Sequence, residues 1–429
     1  MKTTLVIFGI TGHLAQRKLL PALANIIEAG NADELSIIGV SRRDVEQYQV
    51  LGDHHHQLSG TTSLFKMDVN DPAEYVRLKD YIGAGKDEQV LFYLSVPPDS
   101  VANIIEGLGQ AGLNGPRCKL LLEKPFGTDL KSAHAMIDHT ANHFNEAQVY
   151  RIDHYLAKEM AQNVVMFRAT NAIFRHLWSN KYIERIEVMA LESIDIEGRV
   201  DFYEQTGALR DLVQGHLMQL LALTISDIPD ELNWDELPAL RLAALESVQP
   251  ADPKKCVHAQ YQGYRNEVGN PDSNVETFVS LLLESNDPNW QGVLLALTTG
   301  KALNRKKTEV RVHFKRTHEA QSNCLIFKIQ PDEGIQIDLL TKKAGYEREV
   351  EHHKLSYMYP PDTRLPDAYE QVLVDAISSR KSLFASSGEV LRSWEILAPV
   401  QEAWLSRNSI GIYPKGSKAR DVIDQQLNA

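Results

Sequence analysis

Over its first 150 residues the chain alternates short β-branched apolar runs with amphipathic stretches, and that alternation confines this part to a parallel sheet with crossover helices. LVIFG (5–9), SIIGV (36–40), VLFYLSV (90–96) and KLLLEK (119–124) read as buried strands. LAQRKLLPALANIIEAG (14–30) lies between the first two and stops at Gly30, so the units are right-handed βαβ crossovers. The segment 44–62, with His54, His55 and His56 in a row, is expected as a solvated surface loop. Three adjacent histidines could hold a metal, but no other ligand type recurs at metal spacing, and no metal site is expected. From about residue 150 the pattern changes. Helical stretches (156–175, 204–227) mix with polar-interrupted strands at 184–193, 277–285, 292–300, 308–314 and 324–330. Strands that follow one another without crossover helices predict a mixed or mostly antiparallel sheet. The expected class is α/β plus α+β, with a first domain over 1–150 and a larger second domain over 151–429.

The chemistry of the first domain is readable at two strand ends. Gly9-Ile10-Thr11-Gly12-His13-Leu14 follows the first strand and opens the first helix, where glycines let the backbone approach a pyrophosphate held at the helix N-terminus. The domain is therefore expected to be Rossmann-like. Strand two ends in Arg42-Arg43, where an acid would suit a ribose hydroxyl; two guanidiniums suit a 2′-phosphate instead. Lys18, one turn into the helix, adds positive charge. The expected cofactor is NADP. A net charge of -12 argues against nucleic acid or an anionic membrane as partner, and requires any phosphorylated substrate to be held by a local basic cluster. No apolar run approaches the roughly 18 residues of a membrane span. Cys118, Cys256 and Cys324 are scattered and odd in number, which fits a reducing, cytoplasmic setting.

Arg151-Ile152-Asp153-His154-Tyr155-Leu156-Ala157-Lys158-Glu159 supplies such a cluster. On a helix, His154 and Lys158 would share one face with Tyr155 beside them, and imidazole, phenol and ammonium together can grip a phosphate. The stretch resembles the RIDHYLGKE signature of the glucose-6-phosphate dehydrogenase family. GITGHLAQRKLLPAL (9–23), YLSVPP (93–98), EKPFG (123–127), RDLVQGHL (210–217), GKALN (300–304) and YPKGS (413–417) are similar to further motifs of that family, in its order. The resemblance implies that Gly9, Thr11, Gly12, Leu14, Lys18, Arg42, Arg43, Pro97 and Lys124 meet the cofactor. It implies that His154, Tyr155 and Lys158 hold the substrate phosphate, and that Lys124, Glu192, Asp211, Lys301 and Lys306 lie at the sugar. His216 falls at the family's general base and Asp153 at the acid that orients it; a carboxylate on the far nitrogen sets the tautomer and basicity of a histidine. Asp211 is five residues from His216, about 140° around an α-helix, so α geometry keeps it from that task. Pro125 falls at an expected hinge, and a homodimer through the second-domain sheet is implied.

The chain also departs from the family pattern. His13 replaces an Asp, Ala157 a Gly and Gly215 an Asn; Leu191-Glu192-Ser193 stands for KEP, and Lys306 for an Arg that would offer a bidentate fork. None of these removes base, orienting acid or phosphate cluster, while several lie near the sugar. Three readings stay open: NADP-linked oxidation of glucose 6-phosphate at C1, the same hydride transfer on a modified hexose 6-phosphate such as an amino sugar, and a catalytically silent paralogue acting as a binding subunit.

Overall fold

The computed structural model describes residues 2–427 apart from 33, 84, 86–87, 317–321, 361 and 407–409. Its contacts divide it into two units, Met1–Ala157 with Pro366–Gly388, and Lys158–Leu365 with Glu389–Ala429. The first unit thus runs past residue 150 and also takes in a late segment that no local pattern in the sequence announces.

The first unit is built on β1 (Thr3–Phe8), β2 (Leu35–Ser41), β3 (Thr62–Lys66), β4 (Gln89–Leu94), β5 (Cys118–Leu122) and β6 (Val149–Ile152). They stand in the order β6-β5-β4-β1-β2-β3, all parallel, and the two-residue strand Phe384–Ala385 adds antiparallel to β6. β1 and β4 are buried along their whole length, as their unbroken apolar runs require of central parallel strands. The order reverses between β1 and β4, and ligands of doubly wound sheets bind outside the carboxyl ends of the strands at such a point.

Segment 44–62 is not the loop expected. Gln47–Leu51, Gly52–His54 and His55–Leu58 form short helical turns. Val50, Leu51 and Leu58 are buried in the core of the first unit, and the Gln47 amide donates to the Ser59 and Thr62 carbonyls. Apolar anchors at both ends leave the histidines on the outside of a packed turn.

The second unit carries β7 (Ile183–Leu191), β8 (Cys256–Tyr261), β9 (Phe278–Leu283), β10 (Leu294–Gly300), β11 (Lys307–Phe314), β12 (Cys324–Gln330), β13 (Gly334–Lys342) and β14 (Val350–Met358). The sheet runs β14-β13-β12-β11-β7-β10-β9-β8 and ends in the short strand Gly411–Tyr413. Only β7–β10 and β8 with 411–413 pair in parallel; the rest is antiparallel. Helix Glu159–Thr170 lies against β12, with Phe167 edge-on to Phe327 at 5.3 Å. A second helical run over 200–225 crosses the same unit. Arg241, on Leu237–Ser247, and Glu389, on Ser387–Leu405, form an ion pair with both side chains at 0% exposure.

Candidate active site

The glycine loop sits at the β1–β4 switch point. Gly9 has φ +80°, and a β-carbon there would overlap the Ser95 carbonyl that follows β4. Only glycine combines that backbone with that approach. The loop is closed by Gly12 N–H to the Gly9 carbonyl (2.8 Å) and by Ser95 N–H to the Phe8 carbonyl (3.1 Å). Gln16 donates to the Ile10 and Val50 carbonyls, both at 2.9 Å, and so ties the loop to the helical turns of 47–58. Thr11 is exposed at the loop tip and Leu14 half-buried at the helix start. Arg42 and Arg43 are exposed at the end of β2. A backbone cradle with no side chain in it, a helix start behind it and two guanidiniums on the next strand end fit a phosphorylated dinucleotide. Lys18 reaches Asp367 at 3.1 Å, so its charge is shared with the returning segment.

The carboxyl end of β5 in this unit bears a half-buried acid. Tyr93 donates to Glu123 Oε1 at 2.5 Å, and the Tyr369 hydroxyl lies close to the same carboxylate. Burial, helped by the Asp153 carboxylate, pushes Glu123 up to about 7, although its neighbours Tyr93 and Lys124 pull the other way. Lys124 and Pro125 line a mostly apolar cavity of about 380 Å³ together with Leu94, Val96, Pro98 and Met136. Asp153 is 1% exposed, and its Oδ1 accepts from the Tyr155 N–H at 2.9 Å. That bond, with Leu156 N–H to the Asp153 carbonyl, turns the chain off β6.

His154 and Lys158 therefore do not share a helix face. Residues 154–157 are a turn, the helix begins at Glu159, and Lys158 is only its N-cap. The turn instead lays the His154 imidazole against two rings, edge-on to Tyr155 at 5.0 Å and nearly parallel to Tyr369 at 6.1 Å. Tyr155 is buried, and Ala157 packs into the core, where its methyl takes the space a glycine would leave. Lys158, in the second unit, donates to Gln330 Oε1 at 2.7 Å.

In the second unit the helical run over 200–225 changes character twice. Val200–Ala208 is broken at Gly207 (φ 62°), Leu209–Leu217 is a π-helix, and Met218–Ile225 is α. Glu276 fixes the break: its carbonyl accepts from Ala208 N–H and its Oε1 from Leu209 N–H, each at 2.9 Å. Hydrogen bonds in a π-helix run from i to i+5, so Asp211 and His216 fall on one face. The angular separation expected for an α-helix does not apply, and the geometric exclusion of Asp211 lapses. His216 is 5% exposed.

Tyr203, on the helix before the break, is 1% exposed. Burial and then the carboxylates of Asp211, Glu276 and Glu192 hold its hydroxyl far above the usual phenol range. Lys301 lies over its ring at 5.4 Å and reaches Glu192 Oε2 at 2.5 Å. The second unit thus gathers Glu192, Asp211 and Lys301 around one tyrosine, a set of acceptors and a donor suited to a polyhydroxylated ligand. Lys306 is exposed in the stretch before β11. Sequence reasoning passed over Tyr203, Glu276 and Tyr369. Tyr203 stands only seven residues before Arg210 and was open to notice; the roles of the other two depend on long-range contact alone.

A glycine cradle at the switch point of a parallel sheet, with two guanidiniums on the next strand end, marks the class of dinucleotide-dependent oxidoreductases. The model of the glucose-6-phosphate dehydrogenase NAD binding domain matches residues 6–163, and that of the glucose-6-phosphate dehydrogenase C-terminal domain matches residues 165–429. The chain belongs to the glucose-6-phosphate dehydrogenase family. It is 34% identical to glucose-6-phosphate 1-dehydrogenase of Bacillus subtilis, over 99% of this chain and 96% of that one. With the Chlamydia muridarum enzyme of the same name it shares 33% over 93% and 90% of the two chains. Glucose-6-phosphate 1-dehydrogenase from Mycobacterium avium superposes with a TM-score of 0.88 at 30% identity, covering 98% and 96%. A glucose-6-phosphate dehydrogenase solved with glucose 6-phosphate gives 0.92 at 26%, covering 100% and 97%.

Proposed function

We propose that this chain oxidises glucose 6-phosphate at C1 to 6-phosphoglucono-1,5-lactone. The observation that carries the proposal is the gathering of Glu192, Asp211 and Lys301 around Tyr203, with a buried His216 in the same unit, in a chain alike to these relatives along its whole length. NADP, when bound, accepts the hydride that leaves C1. His216 takes the proton from the C1 hydroxyl; an imidazole is the side chain whose basicity suits that transfer near neutral pH. Asp153 is the acid the family pattern pairs with His216. Glu192 and Asp211 accept from sugar hydroxyls, Lys301 donates, and Lys124 serves both sugar and cofactor. His154, Tyr155 and Lys158 hold the phosphate, with Lys306 adding charge. Gly9, Thr11, Gly12, Leu14 and Pro97 meet the cofactor backbone, and Arg42 and Arg43 its 2′-phosphate, with Lys18 nearby.

A second reading, a modified hexose 6-phosphate, draws on Leu191 and Ser193, which replace a Lys and a Pro on either side of Glu192. NADPH absorbance over a panel of hexose 6-phosphates, each with NAD and NADP, tests both. Glucose 6-phosphate should win on kcat/KM; an amino sugar phosphate winning would install the second reading, and silence across the panel would leave only a binding role. In the same assay, Arg42→Ala with Arg43→Ala should raise KM for NADP by about tenfold or more and leave NAD almost unaffected. Equal loss with both cofactors would remove the arginines from the 2′-phosphate.

A homodimer forms part of the proposal. β14 ends its sheet with Val350–Tyr357 exposed, and Leu355 and Tyr357 are each 57% exposed. Such an edge and face invite a symmetric partner. A solution mass of one chain at micromolar concentration would count against it. Among the described residues no helix is long and apolar enough to cross a membrane. The free thiols of Cys118, Cys256 and Cys324 support a cytoplasmic setting.

A further inference from the structure

Tyr369 belongs to none of the motifs, yet the late segment brings it to the phosphate-binding turn of the first unit. It is the second residue of helix Ala368–Ile377, and its N–H is fixed by the N-cap Asp367 at 2.9 Å, which Lys18 holds in turn. Its side chain is 8% exposed. The hydroxyl lies close to Glu123, the carboxylate that Tyr93 holds. The ring lies at 15° to the His154 imidazole with centroids 6.1 Å apart, whereas Tyr155 meets it edge-on at 5.0 Å.

A half-buried histidine with a single neighbour would sample several ring orientations, and each must be given up when a phosphate is gripped. Here one aromatic packs edge-on and another nearly parallel, and the second is fixed at its backbone and has the Glu123 carboxylate beside its hydroxyl. We propose that Tyr369 is a positioning residue for the substrate phosphate, its ring setting the plane of His154 and its capped backbone, with Glu123 beside its hydroxyl, holding that ring in place. The inference rests on the reading of His154 as a phosphate contact. It extends the site to a chain segment outside the motifs, and gives Glu123 and Tyr93 the task of a fixed anchor.

The test compares kcat/KM for glucose 6-phosphate and for glucose, using the full-length enzyme with NADP. Tyr369→Phe keeps the ring and loses the anchor; Tyr369→Leu loses both. The ratio of the two kcat/KM values should fall about threefold in Tyr369→Phe and about tenfold in Tyr369→Leu, the scale of one aromatic pair, mostly through KM for the phosphorylated sugar. His154→Ala, run alongside, should lower the same ratio further. Losses equal for both sugars in the Tyr369 variants would mark a merely structural tyrosine and overturn the inference. A fall in His154→Ala with none in either Tyr369 variant would overturn the positioning role alone. No fall in His154→Ala would overturn the phosphate reading and the inference with it. Tyr369→Phe, which changes no packing volume, keeps the comparison open should Tyr369→Leu fold poorly.

Discussion

Replacing His216 with asparagine should lower kcat by about a thousandfold while KM for sugar phosphate and for NADP moves by less than about threefold. Asparagine retains a polar, hydrogen-bonding side chain at a position 5% exposed, so the pocket wall survives and the proton acceptor does not. The loss should appear in kcat because the base acts only as the C1 hydroxyl gives up its proton. The π-helix makes the accompanying acid worth testing at two positions. Asp153→Asn should lower kcat strongly, as removal of an orienting carboxylate does, whereas Asp211→Asn should act mainly on KM as a lost sugar contact. If the effects were exchanged, the acid steadying His216 would be Asp211, which the i to i+5 repeat puts on the same face. Unchanged turnover in His216→Asn would remove the base assignment altogether.

The largest effect on stability is expected at Arg241. Its Nε lies 2.7 Å from Glu389 Oε1, and neither side chain has any exposure. Arg241→Met removes the guanidinium that Glu389 meets inside the second unit and should cost about 3–5 kcal/mol. For a unit of this size that corresponds to a fall in Tm on the order of 10 °C. The double change Arg241→Met with Glu389→Leu should recover most of the loss, since an apolar pair of similar volume needs no charge compensation. Calorimetry of the three variants would decide. A single variant as stable as the parent would show that Glu389 finds another cation or sheds its charge at little cost.

Much of this molecule could be read one residue at a time. β1, β2, β4 and β5 declared themselves because a strand buried on both faces carries a nearly unbroken apolar run, and β7, β9, β10, β11 and β12 through runs interrupted by polar residues. β14 escaped because VEHHKLSYM is exposed along nearly its whole length and has no buried face to write a period into the sequence. The reading of His154 and Lys158 on one helix failed for a local reason. Asp153 accepts from Tyr155 N–H, and this turn competes with helix formation until Glu159. The π-helix failed for a distant one: Glu276, nearly seventy positions downstream, caps Leu209 and fixes the break at Gly207, where a β-carbon would sit 2.5 Å from its Oε1. The candidate site was legible where motif residues carry it. Tyr203 and Tyr369 act through contacts that spacing does not encode.

The late return of Pro366–Gly388 bears on how the protein is made. Val372, Leu373, Ala376 and Phe384 are each at 1% exposure or less in the core of the first unit. A nascent chain therefore cannot complete its first unit when residues 1–157 leave the ribosome. The sheet waits, its apolar flank uncovered, while all of Lys158–Leu365 is translated, on the order of ten to forty seconds at about 5–20 residues per second. Chaperone dependence during synthesis, and the insolubility of a fragment ended at Ala157, follow from that delay.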